Sequence, residues 1–259
     1  MAWIFHELFY RPLFNILIFL YEIVPGGDMG VAVILTTVVV RLILFPLYKK
    51  SLKSQQEMAV IQPIMKELQE KYKDDKQKLS EELMKVYSEH KVNPFAGIAI
   101  VFAQMPILFA IYRVSLNIFN PENYPEFYAF VTMPEELNAI SFGAIPIAES
   151  AWDTQNIAAI ILALLVGVTQ YFQVKTMMAR TQPQKPKSKK GDDDMPDMAQ
   201  MMGKQMSVLL PIMITFFAFT LPAAMSFYWI TTTAFTMGQE LTFGKKLREQ
   251  AAASQSTTT

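Results

Sequence analysis

The sequence predicts an all-α polytopic membrane protein: five transmembrane helices, an N-terminal interfacial helix and a cytoplasmic helical hairpin. Three observations predict it. Over half of the residues are apolar (52%), and they gather in long runs with few or no charges. Positive charge is confined to alternate loops, as the positive-inside bias of membrane proteins requires. Backbone polar groups find no water in hydrocarbon, so apolar runs of this length must cross as helices.

Residues 1–28 form the interfacial helix, on the extracytoplasmic side. The apolar run 12–24 is roughly 13 residues, short of the about 20 that a span needs. The stretch before it (MAWIFHELFYR) is aromatic and mixed in charge, and no small-residue cleavage site follows, so it does not read as a signal peptide. The first span is 29–49. The hairpin, 50–92, places Ile61, Ile64, Leu68 and Tyr72 on one helical stripe and Leu79, Leu83 and Val86 on another, with Lys73, Asp74 and Asp75 as the break. Glu67/Lys71, Asp74/Lys78 and Glu81/Lys85 have the spacing of favourable helical pairs. The second span is 93–119, with Pro106 inside it. The extracytoplasmic loop 120–154 is aromatic (Phe127, Tyr128, Phe130, Trp152) and is expected to rest on the membrane surface. The third span is 155–176. The loop 177–205, rich in Pro, Lys, Gln and Asp, reads as flexible. The fourth and fifth spans, 206–221 and 223–243, meet at Leu221, Pro222 and Ala223, which forces an antiparallel pair. A polar cytoplasmic tail, 244–259, ends the chain.

The loops set the orientation. Ten lysines lie between Lys49 and Lys91, and a second basic group runs from Lys175 to Lys204. Residues 118–154 contain no lysine or arginine and six acidic residues. The N-terminus is therefore outside and the C-terminus cytoplasmic, the parity that five crossings give. Arg113, near the outer end of the second span, runs against this bias and reaches the surface by snorkelling.

Catalytic chemistry finds little footing. Lysine plus arginine equals aspartate plus glutamate, 23 each, so net charge says nothing about partners, and no nucleic-acid motif is present. With no cysteine there are no thiolate nucleophiles, thiolate metal sites or disulfides. The two histidines, His6 and His90, lie outside the spans, and no aspartate lies deep within one. Residues 238–245 (GQELTFGK) mimic a phosphate loop but have one residue too many between the glycines and no Ser/Thr after the lysine. The chain reads as a non-enzyme that needs no cofactor and no metal.

Arg41 is the exception to the apolar pattern. Its guanidinium stays protonated at physiological pH. At the bilayer centre such a charge costs from about 2.5–3.5 kcal/mol on insertion scales to about 10–17 kcal/mol in simulations. It lies eight residues before Lys49, roughly 12 Å inside the cytoplasmic boundary, a long reach for snorkelling. No acidic residue lies at comparable depth in another span. A water-filled cavity open to the cytoplasm is the expected solution. Polar side chains decorate other spans: Gln104, Thr169, Gln170, Gln173, Ser226, Thr231, Thr232 and Thr233. Singly, each serves as interhelical packing glue. The last two spans hold only about 15 apolar residues each, which thins the bilayer locally. A wet cavity in a thinned membrane shortens the dry path for a polar peptide segment, the requirement of an insertase. Two other readings remain: a small transporter or channel with Arg41 as an anion site, and a structural assembly factor in which the arginine is incidental. The hairpin offers a docking surface for partners, with Lys66, Lys71, Lys73, Lys76 and Lys78 as its candidate residues.

At these residues the chain resembles the YidC/Oxa1/Alb3 family of membrane protein insertases. The stretch GVAVILTTVVVRLILFPL, 30–47, is similar to the family's first core span with its single arginine. Lys50, Ser54, Met58, Gln62 and Pro63 match the segment that opens the cytoplasmic hairpin. Asn93-Pro94, Gln104 and Met105-Pro106-Ile107 are similar to the second span, and LPAAMSFYW, 221–229, followed by Gln239, to the fifth. Two places depart from the pattern: Ile98-Ala99-Ile100 stands where the family commonly has Cys-Leu-Pro, and Ala224 where it has glycine. The resemblance implies a hydrophilic groove, open to cytoplasm and lipid and closed outside. Arg41 is its charge, Gln170 or Gln173 and Trp229 line it, and Gln104, Ser226 and Thr233 join them as candidates. It further implies nascent membrane proteins as substrates, a location in the bacterial inner membrane, and the ribosome, the signal recognition particle system and the Sec translocon as possible partners. The tail is short and only mildly basic, so ribosome contact falls to the hairpin and the lysine-rich second loop.

Overall fold

A computed structural model describes residues 2–93, 96–132, 134–181 and 198–244. The loop segment 182–197, Pro94 and the tail from 245 onward lie outside the described residues. Helix α1 (Ala2–Phe5) runs through a π-helical turn, His6–Tyr10, into α2 (Arg11–Ile23). In a regular helix the ring of Pro12 would clash with the carbonyl of Leu8, and the widened turn relieves this. Gly26 and Gly27 take positive φ, 83° and 60°, and turn the chain into α3 (Met29–Ile43). Asp28 caps that helix by accepting from the Val31 N–H at 3.1 Å.

Helix α3 ends at Leu44, and α4 (Phe45–Lys71) leaves at an angle of 62°. Pro46, in the first turn of α4, has no N–H to continue the α3 ladder. The break therefore falls inside the stretch read as one span, 29–49, and its last residues join the charged helix. Helix α5 (Lys76–Glu89) is capped by Asp75, which accepts from the Lys78 N–H at 3.0 Å. Ile61, Val86 and Val92 are buried together between α4 and α5, with Met58 and Leu68 packed around them. The charge pairs differ in detail from the spacing. Lys85 bonds Glu82 at 2.7 Å rather than Glu81, and both spacings are neighbours on a helix surface. Lys71 and Lys78 lie over the Tyr72 ring, at 5.3 and 5.5 Å.

Helix α6 (Ala96–Asn117) is followed by a loop holding a short antiparallel pair, β1 (Ile140–Ser141) and β2 (Ile145–Pro146), and by α7 (Ala151–Thr154). Then come α8 (Ile157–Thr181), α9 (Met198–Thr220) and α10 (Ala223–Gln239), which closes in a π-helical turn, Glu240–Gly244. Helix α10 packs on α3 and α8, α8 on α9, and α2 on α3 and α6. Phe14, Ile18, Met29, Ile118, Ile147 and Tyr228 are fully or almost fully buried in this core. Among the described residues, Ile157–Thr176 is long and apolar enough to cross a bilayer unaided; α3 and α4 qualify only together; Val208–Thr220 is apolar but shorter.

The loop after α6 folds back onto the N-terminal helix. Phe14 packs against Tyr124 and Phe127 with ring centroids at 5.1 and 6.1 Å, while Phe130 and Trp152 remain exposed. Asn15, fully buried, ties the two together. Its Nδ2 donates to the carbonyls of Arg11 (2.8 Å) and Glu126 (3.2 Å), and its Oδ1 accepts from the Tyr128 N–H (2.8 Å). Asn15→Leu keeps the branched four-atom outline of the side chain, with somewhat more bulk, and removes all three bonds. Each buried polar group left unsatisfied costs about 1–3 kcal/mol. The expected result is a loss of stability of that order in denaturant unfolding, together with faster proteolysis of the loop around Glu126.

Candidate functional site

The candidate groove residues come from four helices, and α10 is the element that gathers them. It carries Ala223, Ala224, Ser226 and the run Thr231 to Thr233, small side chains of the kind through which membrane helices approach closely. Ser226 and Thr233 are buried on it, and Trp229 is 9% exposed. Against one side lies α3, carrying Arg41, itself only 9% exposed. Against another lies α8, where Gln170 is buried and donates through Nε2 to Thr233 Oγ1 at 3.1 Å. Of the two glutamines left open by their spacing, Gln170 therefore makes the interhelical bond. Gln173 is half-buried and bonds none of the other candidates among the described residues. Gln104, on α6, is also half-buried and bonds none of them.

Arg41 makes no ion pair among the described residues. The titratable groups that share its field are two phenols, Tyr228 and Tyr48. Tyr228 is 2% exposed, with the Thr232 hydroxyl beside its own but no well-formed hydrogen bond between them. Sequence reasoning passed over this residue. A tyrosine between Ser226 and Trp229 in an apolar run was the available signal. Among the described residues no group of three His, Asp or Glu side chains could hold a metal ion.

One end of the bundle is closed by backbone. Helix α10 starts at Pro222 without a side-chain cap. Two of its N–H groups, those of Ala223 and Ala224, instead bond the carbonyls of Glu149 (2.9 Å) and Ile147 (3.0 Å) in the loop between α6 and α8. Ser150 forms a β-bridge with Pro222. Ser141 Oγ accepts from the Gly30 N–H at 2.6 Å, and Asp28 accepts from the Phe142 N–H. The same loop thus covers the starts of α3 and α10. At the opposite end, α4 docks on the turn after α10. Gln56 Nε2 donates to the Gly244 carbonyl (3.1 Å), and the Phe45 and Phe243 rings lie 5.0 Å apart.

The basic candidates sit on α4, α5 and the turn between them. Lys71, Lys73, Lys76 and Lys78 are exposed and Lys66 is half-buried. Nearby, the hydrogen bond from Lys85 holds the Glu82 carboxyl below its ordinary range.

Residues 19–250 match the family model described as the 60Kd inner membrane protein. The chain is 30% identical over 242 residues to a membrane protein insertase YidC of Pelobacter propionicus, covering 92% of this chain and 39% of that protein. It is 33% identical over 252 residues to the one of Wolinella succinogenes, covering 96% and 40%. The one of Clostridium tetani is 33% identical over 231 residues, covering 88% and 87%. The chain thus spans about two-fifths of the first two relatives and most of the third. Its fold matches a crystal structure of an active YidC insertase with its first transmembrane domain resolved. The TM-score is 0.52 at 22% identity, over 90% of this chain and 45% of the other. With its helical fold shared and its sequence matched over most of its length, the chain belongs to the 60Kd inner membrane protein family, that of the YidC insertases.

Proposed function

We propose that the chain is a membrane protein insertase and chaperone that works without nucleotide hydrolysis. In this reading five spans cross the bacterial inner membrane: residues 29–49, 93–119, 155–176, 206–221 and 223–243. The N-terminus lies outside and the C-terminus in the cytoplasm. A groove in the cytoplasmic leaflet receives the polar tail or loop of a nascent membrane protein. Arg41 attracts acidic residues of that tail, in surroundings where charges are poorly screened. Gln104, Gln170, Gln173, Ser226, Trp229 and Thr233 line the route. The Gln170–Thr233 bond lies between α8 and α10, and a substrate amide can take the place of either partner. The apolar segment then slides along these two helices into lipid, and its burial drives the step at about 0.8 kcal/mol per CH₂. Lys66, Lys71, Lys73, Lys76 and Lys78 form a docking face for the ribosome, the signal recognition particle system or the Sec translocon.

The observation that carries this reading is Arg41, a buried cation with no ion pair among the described residues. A permanent charge in that position needs water or an incoming anion. The test is insertion of a single-span protein with an acidic N-terminal tail by the purified chain in liposomes, without nucleotide. Insertion must exceed that of protein-free vesicles; equality between the two rejects the proposal.

A further inference from the structure

Arg113 plays no part in the groove, and its position asks for a separate explanation. It lies four residues before the end of α6, about 6 Å along the axis, at the end that carries the acidic loop. Arg11, bonded to that same loop, is fully engaged: its guanidinium pairs with Glu7 at 3.0 Å and Glu126 at 3.1 Å. Arg113 is exposed and makes no ion pair among the described residues. It lines an open groove of about 730 Å³ together with Phe5 of the N-terminal segment and Phe102, Met105, Phe109 and Leu116 of α6; Leu116 lies nearer the helix end than Arg113, and Phe109, Met105 and Phe102 lie deeper. From Arg113 down to Phe102 it follows the helix for about 16 Å, close to the about 15 Å that one leaflet of hydrocarbon spans. Trp3, Ile4 and Leu8, on the same N-terminal segment as Phe5, are also exposed apolar side chains.

We propose that this groove is a binding site for one anionic phospholipid, its phosphate on Arg113 and an acyl chain along Phe109, Met105 and Phe102. Charge complementarity identifies the headgroup, since a cation on the acidic side of the bundle is left for an anion that the protein does not supply. Shape identifies the rest. Helices that pair in membranes meet through small residues, whereas this wall is built of bulky, exposed side chains, 41–71% accessible, suited to a flexible chain. The site requires α6 to lie in the bilayer and does not depend on insertase activity.

Native mass spectrometry of the detergent-solubilised chain, titrated with phosphatidylglycerol, phosphatidylcholine or inorganic phosphate, tests it. The wild type should retain phosphatidylglycerol about fivefold better than phosphatidylcholine, the preference that one basic residue near a membrane surface confers. Arg113→Gln should bring the two lipids to near equality, and Arg113→Lys should keep most of the difference. Phosphate alone should not displace the lipid. No headgroup preference in the wild type, or a preference untouched by Arg113→Gln, overturns the assignment. So does displacement by phosphate, which would leave only an ion site. A photo-crosslinker at Phe109 that captures a polypeptide helix in membranes rather than lipid also overturns it.

Discussion

Replacing Arg41 with alanine is expected to lower insertion of a single-span substrate with an acidic N-terminal tail by on the order of tenfold. One carboxylate about 8 Å from the guanidinium, at an effective dielectric near 20, is stabilised by about 2 kcal/mol. Losing that attraction accounts for at least a tenfold change. Arg41→Lys keeps the charge and should keep most of the activity, because attraction of a mobile tail needs no bidentate geometry. A substrate whose tail is neutral should be affected far less. The pattern across tails separates electrostatic capture from a packing role. If Arg41→Ala inserts acidic-tailed substrates normally, the arginine is structural. If the variant instead loses solute flux, the chain is a transporter.

Closing the gap between α8 and α9 should have the largest effect on stability. Gly167 of α8 faces Thr215 of α9. A Cβ placed there would meet the Thr215 side chain, with its Cβ and Cγ2 at 3.3 Å and Oγ1 nearer still. Thr215 cannot simply turn away, because its hydroxyl donates to the Pro211 carbonyl at 2.7 Å. Gly167→Ala therefore forces the helices apart or breaks that bond, an overpacking cost of about 1–3 kcal/mol. Gly167→Leu should exceed it and reduce folded protein in the membrane. Adding Thr215→Ala to Gly167→Ala should restore most of the loss, since the two changes act on one contact. Unfolding in denaturing detergent measures each. If Gly167→Ala is neutral alone, the close approach does not exist.

Arg41 stood out from sequence because its charge contradicts everything around it. Gln170 and Gln173 could not be told apart, being three residues apart on one helical face. Only the position of Thr233, 63 residues away, picks out Gln170 for the bond between the helices. An even greater distance in sequence hides Asn15. Nothing near it signals that its amide will hold a loop 111 to 113 residues further on. Gly167 was visible as a glycine in an apolar run, which says that something comes close but not that it is Thr215. Pro46 was visible too. Apolar character continues across it, so hydropathy read one element where backbone chemistry makes two. In the aromatic loop, composition could not tell the ring that packs on α2, Phe127, from those that stay exposed, Phe130 and Trp152. In each case local chemistry was legible and the partner was not, because partners are set by the folded topology.

Water access at position 41 tests the central claim most directly. The chain contains no cysteine, so Arg41→Cys introduces a single thiol, and a membrane-impermeant maleimide can be offered from either side of sealed vesicles. Reaction from the cytoplasmic face, with none from the opposite face, is the predicted result. A thiol unreactive from both sides, or modified from the outer side, would contradict a pocket that is wet from the cytoplasm and closed beneath the loop that caps α10.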